Sequence, residues 1–266
     1  MTGQKQALVF ASFGVSDAGA RAASLDAAAA LLQQKFPAWQ VYQAYTSNFI
    51  CKRLVAAGVQ AASLTEMLSR LAAAGFARVL VQPSHLTPGE EFDHKVLAAA
   101  KAAAALFPAG LAVGQPVFAE PADYERVLAA ILPALSLAPG EELVLFGHGS
   151  PHRHNPVYER LQQVADARQL PVHIGVLEPA DTPNLAMVMA RLRQRGSRQL
   201  LLAPLLLSGG SHVTRDMAGS NPGSWQSQLM AAGFAVRTDL RGLGEHPDFR
   251  ALYVQKVRQT LDTVKW

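Results

Sequence analysis

Cysteine, aromatic side chains and long apolar runs are all scarce in this sequence of 266 residues, and each shortage excludes a class of protein. Cys51 is the single cysteine, so an internal disulfide framework or a zinc site built from several cysteines cannot form. Aromatic residues make up 7% of the chain and do not alternate with basic ones, which argues against a stacking platform for nucleic acid. No stretch approaches the roughly 18 consecutive apolar residues of a membrane span, and the N-terminus lacks a secretory apolar region. We therefore expect a soluble protein of a reducing cytoplasm that binds neither nucleic acid nor a membrane.

Charge of either sign is also modest. Lys and Arg number 24 and Asp and Glu number 20, which gives a net charge of +4 without any run of like charges. This diffuse basic balance suits an anionic small molecule better than a nucleic-acid track.

Three common catalytic or cofactor motifs are missing. The sequence has no G-x-x-x-x-G-K-[ST] phosphate loop and no full G-x-G-x-x-G after a strand. GHGS at 147–150 carries histidine where a nucleophile elbow carries serine. We therefore expect neither a nucleotide nor another organic cofactor.

Short apolar runs alternate along the whole chain with alanine-rich or amphipathic stretches. This alternation predicts an α/β fold with parallel sheets covered by helices. The segment 136–142, with Pro139-Gly140, is the best linker candidate. We predict two similar domains, 1–138 and 139–266, with the last helix free to pack back on the first domain and a ligand cleft between the two.

An internal repeat supports two similar halves. When Gly75 is set against Gly196, AGFARVLVQPSHLTPGEE falls without gaps on RGSRQLLLAPLLLSGGSH, and Pro83 meets Pro204. In the same alignment Glu91 falls opposite His212.

The most informative stretch is LVLFGHGS at 143–150, where four apolar residues lead into His148 between two glycines. Glu178 follows the next predicted strand, and His212 lies in the loop after the strand that begins at Leu200. Because the carboxyl ends of parallel strands form one ligand-binding edge, these three side chains should converge. Two imidazoles and a carboxylate can hold a divalent first-row metal and leave positions open. A single strand-end histidine is more often a structural hydrogen-bonding group, and Glu178 could instead cap the following helix, so the interpretation depends on the joint placement.

The remaining histidines are less informative. His154 and His246 are predicted to face solvent, and His173 to lie within a strand. His152 and His154 have the spacing of a metal pair, but the flanking prolines make that loop irregular.

Several motifs occur together along the chain: SFGVS at 12–16, Tyr45-Thr46-Ser47, PSHLTPGEEFD at 83–93, FGHGS at 146–150 with His152 and Tyr158, the Glu178 loop, GSHVTRDMAG at 210–219 with Ser224-Trp225, and GLGE at 242–245. Together they resemble a known family, the anaerobic cobalt chelatases of cobalamin biosynthesis (CbiK type), within the class II tetrapyrrole chelatases. The resemblance extends over essentially the whole chain.

The resemblance implies two Rossmann-like domains, each a parallel four-stranded sheet flanked by helices, with a tetrapyrrole cleft between them. It implies ATP-independent insertion of Co²⁺ into sirohydrochlorin or precorrin-2. His148, Glu178 and His212 correspond to the metal ligands, and His148 and His212 to the catalytic histidines, with His148 also accepting a pyrrole proton. The residues placed near the macrocycle are Ser12, Phe13, His85, Glu90 and Glu91.

The carboxylates of such a substrate would explain the basic balance, with Arg53, Arg153 and Arg215 as candidate partners. The chain departs from the expected pattern in Pro179-Ala180-Asp181 after Glu178, in Pro151, and in the absence of acidic residues from 220–223. None of these departures removes a proposed ligand.

Other functions stay open. Metal affinity order does not separate Co²⁺ from Fe²⁺ or Ni²⁺ with sirohydrochlorin, and Fe²⁺ insertion into protoporphyrin is a further possibility. From other classes come a non-catalytic tetrapyrrole or heme carrier, with His85 or His148 as axial ligand, and a two-domain solute-binding protein. The sequence does not indicate an oligomeric state.

Overall fold

The computed structural model describes residues 4–150 and 154–266, which form two compact units. The first unit runs to Ala119 and includes Arg250–Trp266, and the second is Glu120–Phe249. Pro151, His152 and Arg153 lie outside the described residues, so the motif assignment of His152 and the carboxylate-binding role of Arg153 stay predictions.

The first unit is built on a parallel four-stranded sheet of order β2-β1-β3-β4. Its strands are β1 (Gln6–Ser12), β2 (Gln40–Tyr45), β3 (Arg78–Pro83) and β4 (Leu111–Val113). In the central strand β1 every residue from Ala7 to Ser12 is buried, because helices cover both faces of the sheet.

Serine caps begin two helices of this unit: Ser47 accepts from the backbone of Ile50, and Ser63 from that of Glu66. The helical segments are α1 (Ala18–Arg21), a π-helical turn (Ala22–Asp26), α2 (Ala27–Lys35), α3 (Asn48–Ala56), α4 (Leu64–Ala73), a second π-helical segment (Phe92–Leu97), α5 (Ala98–Ala103) and a 3₁₀ turn (Ala104–Leu106).

Each face of the first sheet has its own apolar layer. Leu68 of α4 and Val96 of the second π-helical segment pack in one cluster with Val9 and Val81. On the opposite face Tyr253 meets Phe10 edge to face, with ring centroids 5.1 Å apart, and donates its hydroxyl proton to the Ser84 carbonyl over 2.8 Å.

The second unit repeats this architecture with a parallel sheet of order β6-β5-β7-β8. Its strands are β5 (Glu141–Gly147), β6 (Val172–Val176), β7 (Gln199–Pro204) and β8 (Ala235–Thr238). Its helical segments are α6 (Pro121–Leu135), α7 (Val157–Ala167), α8 (Leu185–Arg195), a π-helical segment (His212–Met217), α9 (Trp225–Ala231) and a 3₁₀ turn (Leu243–Glu245), and α10 (Pro247–Thr263) follows. The predicted fold of two similar parallel four-stranded sheets flanked by helices is confirmed.

The division between the units differs from the predicted boundary at residue 138. Helix α6 belongs to the second unit, where Arg241 donates to the Ala134 carbonyl and Arg237 to the Ser136 carbonyl. The segment 136–142 therefore connects two elements of one unit. The C-terminal residues from Arg250 belong to the first unit, where Tyr253 covers the sheet.

An equivalent backbone hydrogen bond is found at the carboxyl edge of each sheet. The Ser47 amide donates to the Phe13 carbonyl over 3.3 Å, and the Glu178 amide donates to the His148 carbonyl over 2.9 Å. Phe13 in the first unit thus occupies the place of His148 in the second, and Ser47 occupies the place of Glu178.

A second correspondence extends the internal repeat seen in the sequence. Glu91 directly precedes the π-helical segment after β3, and His212 opens the π-helical segment after β7.

His246 was predicted to face solvent, and this was wrong. It is buried, directly after the 3₁₀ turn and before α10. Among the helices of residues 4–150 and 154–266, none combines the length and apolar composition that a membrane crossing needs.

Candidate active site

The three predicted metal ligands lie together at the carboxyl edge of the second sheet. The ring centroids of His148 and His212 are 4.8 Å apart with the rings nearly perpendicular, and Nδ1 of His148 is 3.8 Å from Oε1 of Glu178. All three side chains are partly exposed, so an ion could reach them from solvent. Within the described part of the chain, no group of three or more His, Cys, Asp or Glu side chains is already arranged to hold a metal ion.

The glycines on either side of His148 allow the close approach of neighbouring groups. A Cβ on Gly147 would lie 2.6 Å from the Tyr158 ring. Gly149 has a φ of +81°, and a Cβ there would lie 3.1 Å from the Cβ of Glu178. Only glycine combines this left-handed backbone with so little space, so the two glycines bring His148 and Glu178 together.

The hydrogen bonds of His148 indicate which ring nitrogen is free. Nδ1 lies 3.2 Å from the carbonyl oxygen of Gly149, and because a carbonyl can only accept, Nδ1 carries the proton. In the neutral ring Nε2 then has the lone pair.

His212 is oriented by a carboxylate one helical turn later. Its Nδ1 lies 2.8 Å from Oδ2 of Asp216. Arg215 donates to the same carboxylate and, together with His212, holds the pKa of Asp216 below its usual range despite partial burial. A charged Asp216 accepts from Nδ1–H, which leaves Nε2 of His212 free, as in histidines held by an outer carboxylate at metal sites. Arg215 is exposed, but part of its hydrogen-bonding capacity is already used by Asp216.

Asp181, which was not predicted from the sequence as a site residue, joins the loops that follow His148 and Glu178. Its carboxylate is 0% exposed and accepts from the backbone amides of Ser150, Asn155 and Thr182 over 2.8 to 3.1 Å. It also lies 2.8 Å from Nδ1 of His154. The departure from the family pattern after Glu178 pointed to this segment, but three partners of Asp181 lie 26 to 31 residues away in sequence: Ser150, His154 and Asn155.

The loop that precedes His212 rests on the GLGE turn. The Leu243 amide donates to the Leu206 carbonyl over 2.8 Å, and the Gly244 amide to the Leu207 carbonyl over 2.9 Å. The turn is closed by Glu245, which accepts from the amide of Gly242 over 2.8 Å.

The five predicted macrocycle contacts belong to the first unit and differ in exposure. Phe13 and Glu90 are exposed, whereas Ser12 is buried at the end of β1. Oγ of Ser12 and Oε2 of Glu91 are shielded from solvent and have no hydrogen-bond partner within the described residues.

His85 is partly exposed as a residue, but its ring nitrogens are shielded from solvent. Both ring nitrogens are buried without a partner among residues 4–150 and 154–266. Burial lowers the pKa of His85 to about 4, so the ring is neutral near pH 7. Thr46, which the sequence analysis did not name as a contact, has a hydroxyl in the same condition after β2.

Comparison with known proteins identifies the family. The family model for cobalt chelatase (CbiK) matches residues 6–262. The chain is 30% identical over 260 residues to a sirohydrochlorin cobaltochelatase of Salmonella typhimurium, with 97% of both chains covered. It is 33% identical over 220 residues to the sirohydrochlorin cobaltochelatase CbiKC of Nitratidesulfovibrio vulgaris, covering 82% of this chain and 77% of that one.

Solved structures agree on the fold. The sirohydrochlorin chelatase SirB of Bacillus subtilis subspecies spizizenii, solved in complex with cobalt, superposes with a TM-score of 0.64 at 17% identity, covering 97% of this chain and 96% of that one. The family match over nearly the whole chain and the conserved fold lead to one conclusion: the chain belongs to the cobalt chelatase (CbiK) family and is an enzyme of the chelatase class.

Proposed function

We propose that this protein inserts Co²⁺ into sirohydrochlorin, or into precorrin-2, without ATP. The observation that carries the proposal is the convergence of His148, Glu178 and His212 at one sheet edge. The names of the two sequence relatives support the choice of metal and ring. We place the reaction in the cytoplasm, where the single Cys51 would stay a free thiol.

In this proposal the three side chains hold the metal only briefly. Nε2 of His148 and Nε2 of His212 are the free nitrogens, and the Glu178 carboxylate attracts the cation. The side chains are close but not fixed in a complete coordination sphere. This suits a metal that is a substrate, because it must pass from water and protein ligands to four pyrrole nitrogens.

His148 also takes up protons from the ring. Metallation replaces two pyrrole N–H protons with one Co²⁺, so charge balances without any oxidation or reduction. An imidazole accepts a proton near neutral pH, and partial exposure of His148 lets it pass the proton to solvent. Glu178, 3.8 Å away, would stabilise the protonated ring.

The first unit contributes tetrapyrrole contacts through Ser12, Phe13, His85, Glu90 and Glu91. The neutral His85 ring can donate from one nitrogen and accept at the other, and both are without partners in the described residues. Such buried unpaired groups call for a partner, and polar groups of the macrocycle would supply one.

The test is the absorbance spectrum of sirohydrochlorin with Co²⁺, Fe²⁺ or Ni²⁺, with and without catalytic amounts of the protein. We expect many turnovers with Co²⁺ above the spontaneous rate. Faster turnover with Fe²⁺ or Ni²⁺ would change the metal, and turnover only with protoporphyrin and Fe²⁺ would change the ring. A spectral change limited to one equivalent of protein would replace the enzyme with a tetrapyrrole carrier.

A further inference from the structure

Two exposed phenylalanines stand at the carboxyl edge of the first sheet. Phe13, directly after β1, is 50% exposed, and Phe49, in the first turn of α3, is 67% exposed. Their backbones are adjacent, because the Ser47 amide donates to the Phe13 carbonyl and a Cβ on Gly14 would lie 2.7 Å from Cγ2 of Ile50. Exposed aromatic rings at a ligand-binding edge mark a surface that another molecule covers.

Helix α3 has no counterpart among the described residues of the second unit. Ser47 corresponds to Glu178, because the amides of both donate to the carbonyl of the residue that follows the central strand β1 or β5. Ser63 corresponds to Asn184, because each caps the start of the next matching helix, α4 or α8. The first unit has α3 in this interval, whereas the second unit has a short loop without a helix. The exposed Phe49 therefore lies on an element added at the ligand edge of one unit only.

The added helix is basic. It contains Lys52 and Arg53 and no acidic residue. The guanidinium carbon of Arg53 lies 5.7 Å from the centroid of the Phe49 ring, one helical turn away. No carboxylate of the described residues forms an ion pair with Arg53, so its charge is available to an anionic ligand. A cation over an aromatic face still has N–H groups directed outward for a carboxylate.

We propose that Phe13, Phe49 and Arg53 form a binding surface for a conjugated ring that carries carboxylates. The two phenyl rings contact the apolar face of the ring system, and Arg53 pairs with one peripheral carboxylate. This inference rests on the proposed function, in which that ligand is the sirohydrochlorin substrate. It assigns specificity for an acidic ring over a less acidic one to Arg53.

The experiment measures binding of metal-free sirohydrochlorin to the full-length protein by absorbance titration, so that it does not depend on turnover. For Phe49→Ala and for Arg53→Gln we expect the dissociation constant to rise about tenfold, the size of one lost stacking or charge contact. The matched controls on the same helix are Val55→Ala, an exposed apolar side chain, and Lys52→Gln, a neighbouring cation. Both controls should stay within about threefold of the parent protein.

Salt gives a second readout. Added NaCl should weaken binding by the parent protein more steeply than binding by Arg53→Gln, because the variant lacks the screened contact. If Phe49→Ala and Arg53→Gln bind as tightly as their controls, the inference is wrong.

The outcomes separate this inference from the proposed function. Normal cobalt insertion with unchanged binding in both variants would overturn the surface and leave the chelatase. Weakened binding in both variants of a protein that never turns over would support the surface and overturn the chelatase. A parent protein that binds no sirohydrochlorin would overturn both.

Discussion

The carboxyl edges of the two sheets have the same backbone and different chemistry. The first unit presents Phe13 and Ser47 at the places where the second presents His148 and Glu178, joined by equivalent amide-to-carbonyl bonds. Equivalent backbone positions therefore carry different side chains in the two units, and the proposed metal ligands His148 and Glu178 have Phe13 and Ser47 as their counterparts.

A third pair of equivalent positions, Glu91 and His212, also carries different side chains in the two units. Glu91 precedes its π-helical segment where His212 opens the other one. Around His212 the neighbouring polar groups are paired: Asp216 accepts from Nδ1 of His212 and also accepts from Arg215. Around Glu91 and His85 buried polar atoms have no partner within residues 4–150 and 154–266. Within the described residues, the second edge thus has paired polar groups around His212, and the first has unpaired buried polar atoms and exposed aromatic rings.

The strongest test of this comparison puts a residue of the first edge into the second. His148→Phe should lower turnover by about 10²- to 10⁴-fold, because the variant lacks the proposed metal ligand and proton acceptor. Sirohydrochlorin binding and the far-ultraviolet spectrum should stay near those of the parent protein. The control is His94→Phe, which replaces an exposed histidine of the first unit. Turnover within threefold of the parent would remove His148 from the site.

The buried histidine of the first edge should make stability depend on pH. His85 has a pKa of about 4 when folded, against 6.5 ordinarily, so the unfolded chain binds a proton more readily. Its contribution to the free energy of unfolding is fully present above about pH 6.5 and is lost as the pH falls toward 4, by up to about 3 kcal/mol.

Urea unfolding at pH 7.5 and pH 5 checks this effect. The stability difference between the two pH values should shrink in His85→Leu, and should persist in the exposed control His94→Leu. If the stability of His85→Leu depends on pH as much as that of the parent protein, the His85 ring of the folded parent is protonated at pH 5.

Asp181 lies between β6 and α8, in the interval where the first unit has α3. Asp181→Asn replaces a carboxylate that accepts three amide bonds, so the loops carrying His148 and Glu178 should lose their fixed spacing. We expect the KM for Co²⁺ to rise about tenfold while the KM for sirohydrochlorin changes little.

Glu141→Gln is the matched control for Asp181→Asn. Glu141 is also a buried carboxylate of the second unit, paired with Arg237 at the opposite end of the sheet. The Glu141→Gln variant should be less stable than the parent protein, with no change in the KM for Co²⁺. Equal changes in KM from both variants would reduce Asp181 to a general stabilising role.

Much of this arrangement could be predicted from local sequence. Buried strands, serine caps and glycines around His148 are encoded within a few residues, and parallel strands then bring their carboxyl ends together. Long-range contacts were not predictable in this way. Pro139-Gly140 marked a turn but not a domain boundary, because the place of α6 depends on Arg237 and Arg241, about a hundred residues later. The role of Asp181 depends in the same way on partners distant in sequence.

Among the site residues considered, the smallest change in turnover is expected from a substitution of Tyr158, which contacts both neighbours of His148. Its ring packs against Gly147, and its hydroxyl accepts from the Gly149 amide over a long 3.3 Å. Burial raises the pKa of Tyr158 to about 12, so the hydroxyl stays protonated over the working pH range. Tyr158→Phe keeps the ring and removes one weak bond, so we expect a loss of about 1 kcal/mol in stability and at most about a twofold change in turnover.

Tyr42→Phe, which removes an exposed hydroxyl bonded to Gln40, should change neither quantity measurably. A loss of turnover near that of His148→Phe would mean that the Tyr158 hydroxyl takes a direct part in the reaction, and that the second edge contains a fourth functional group without an equivalent in the first.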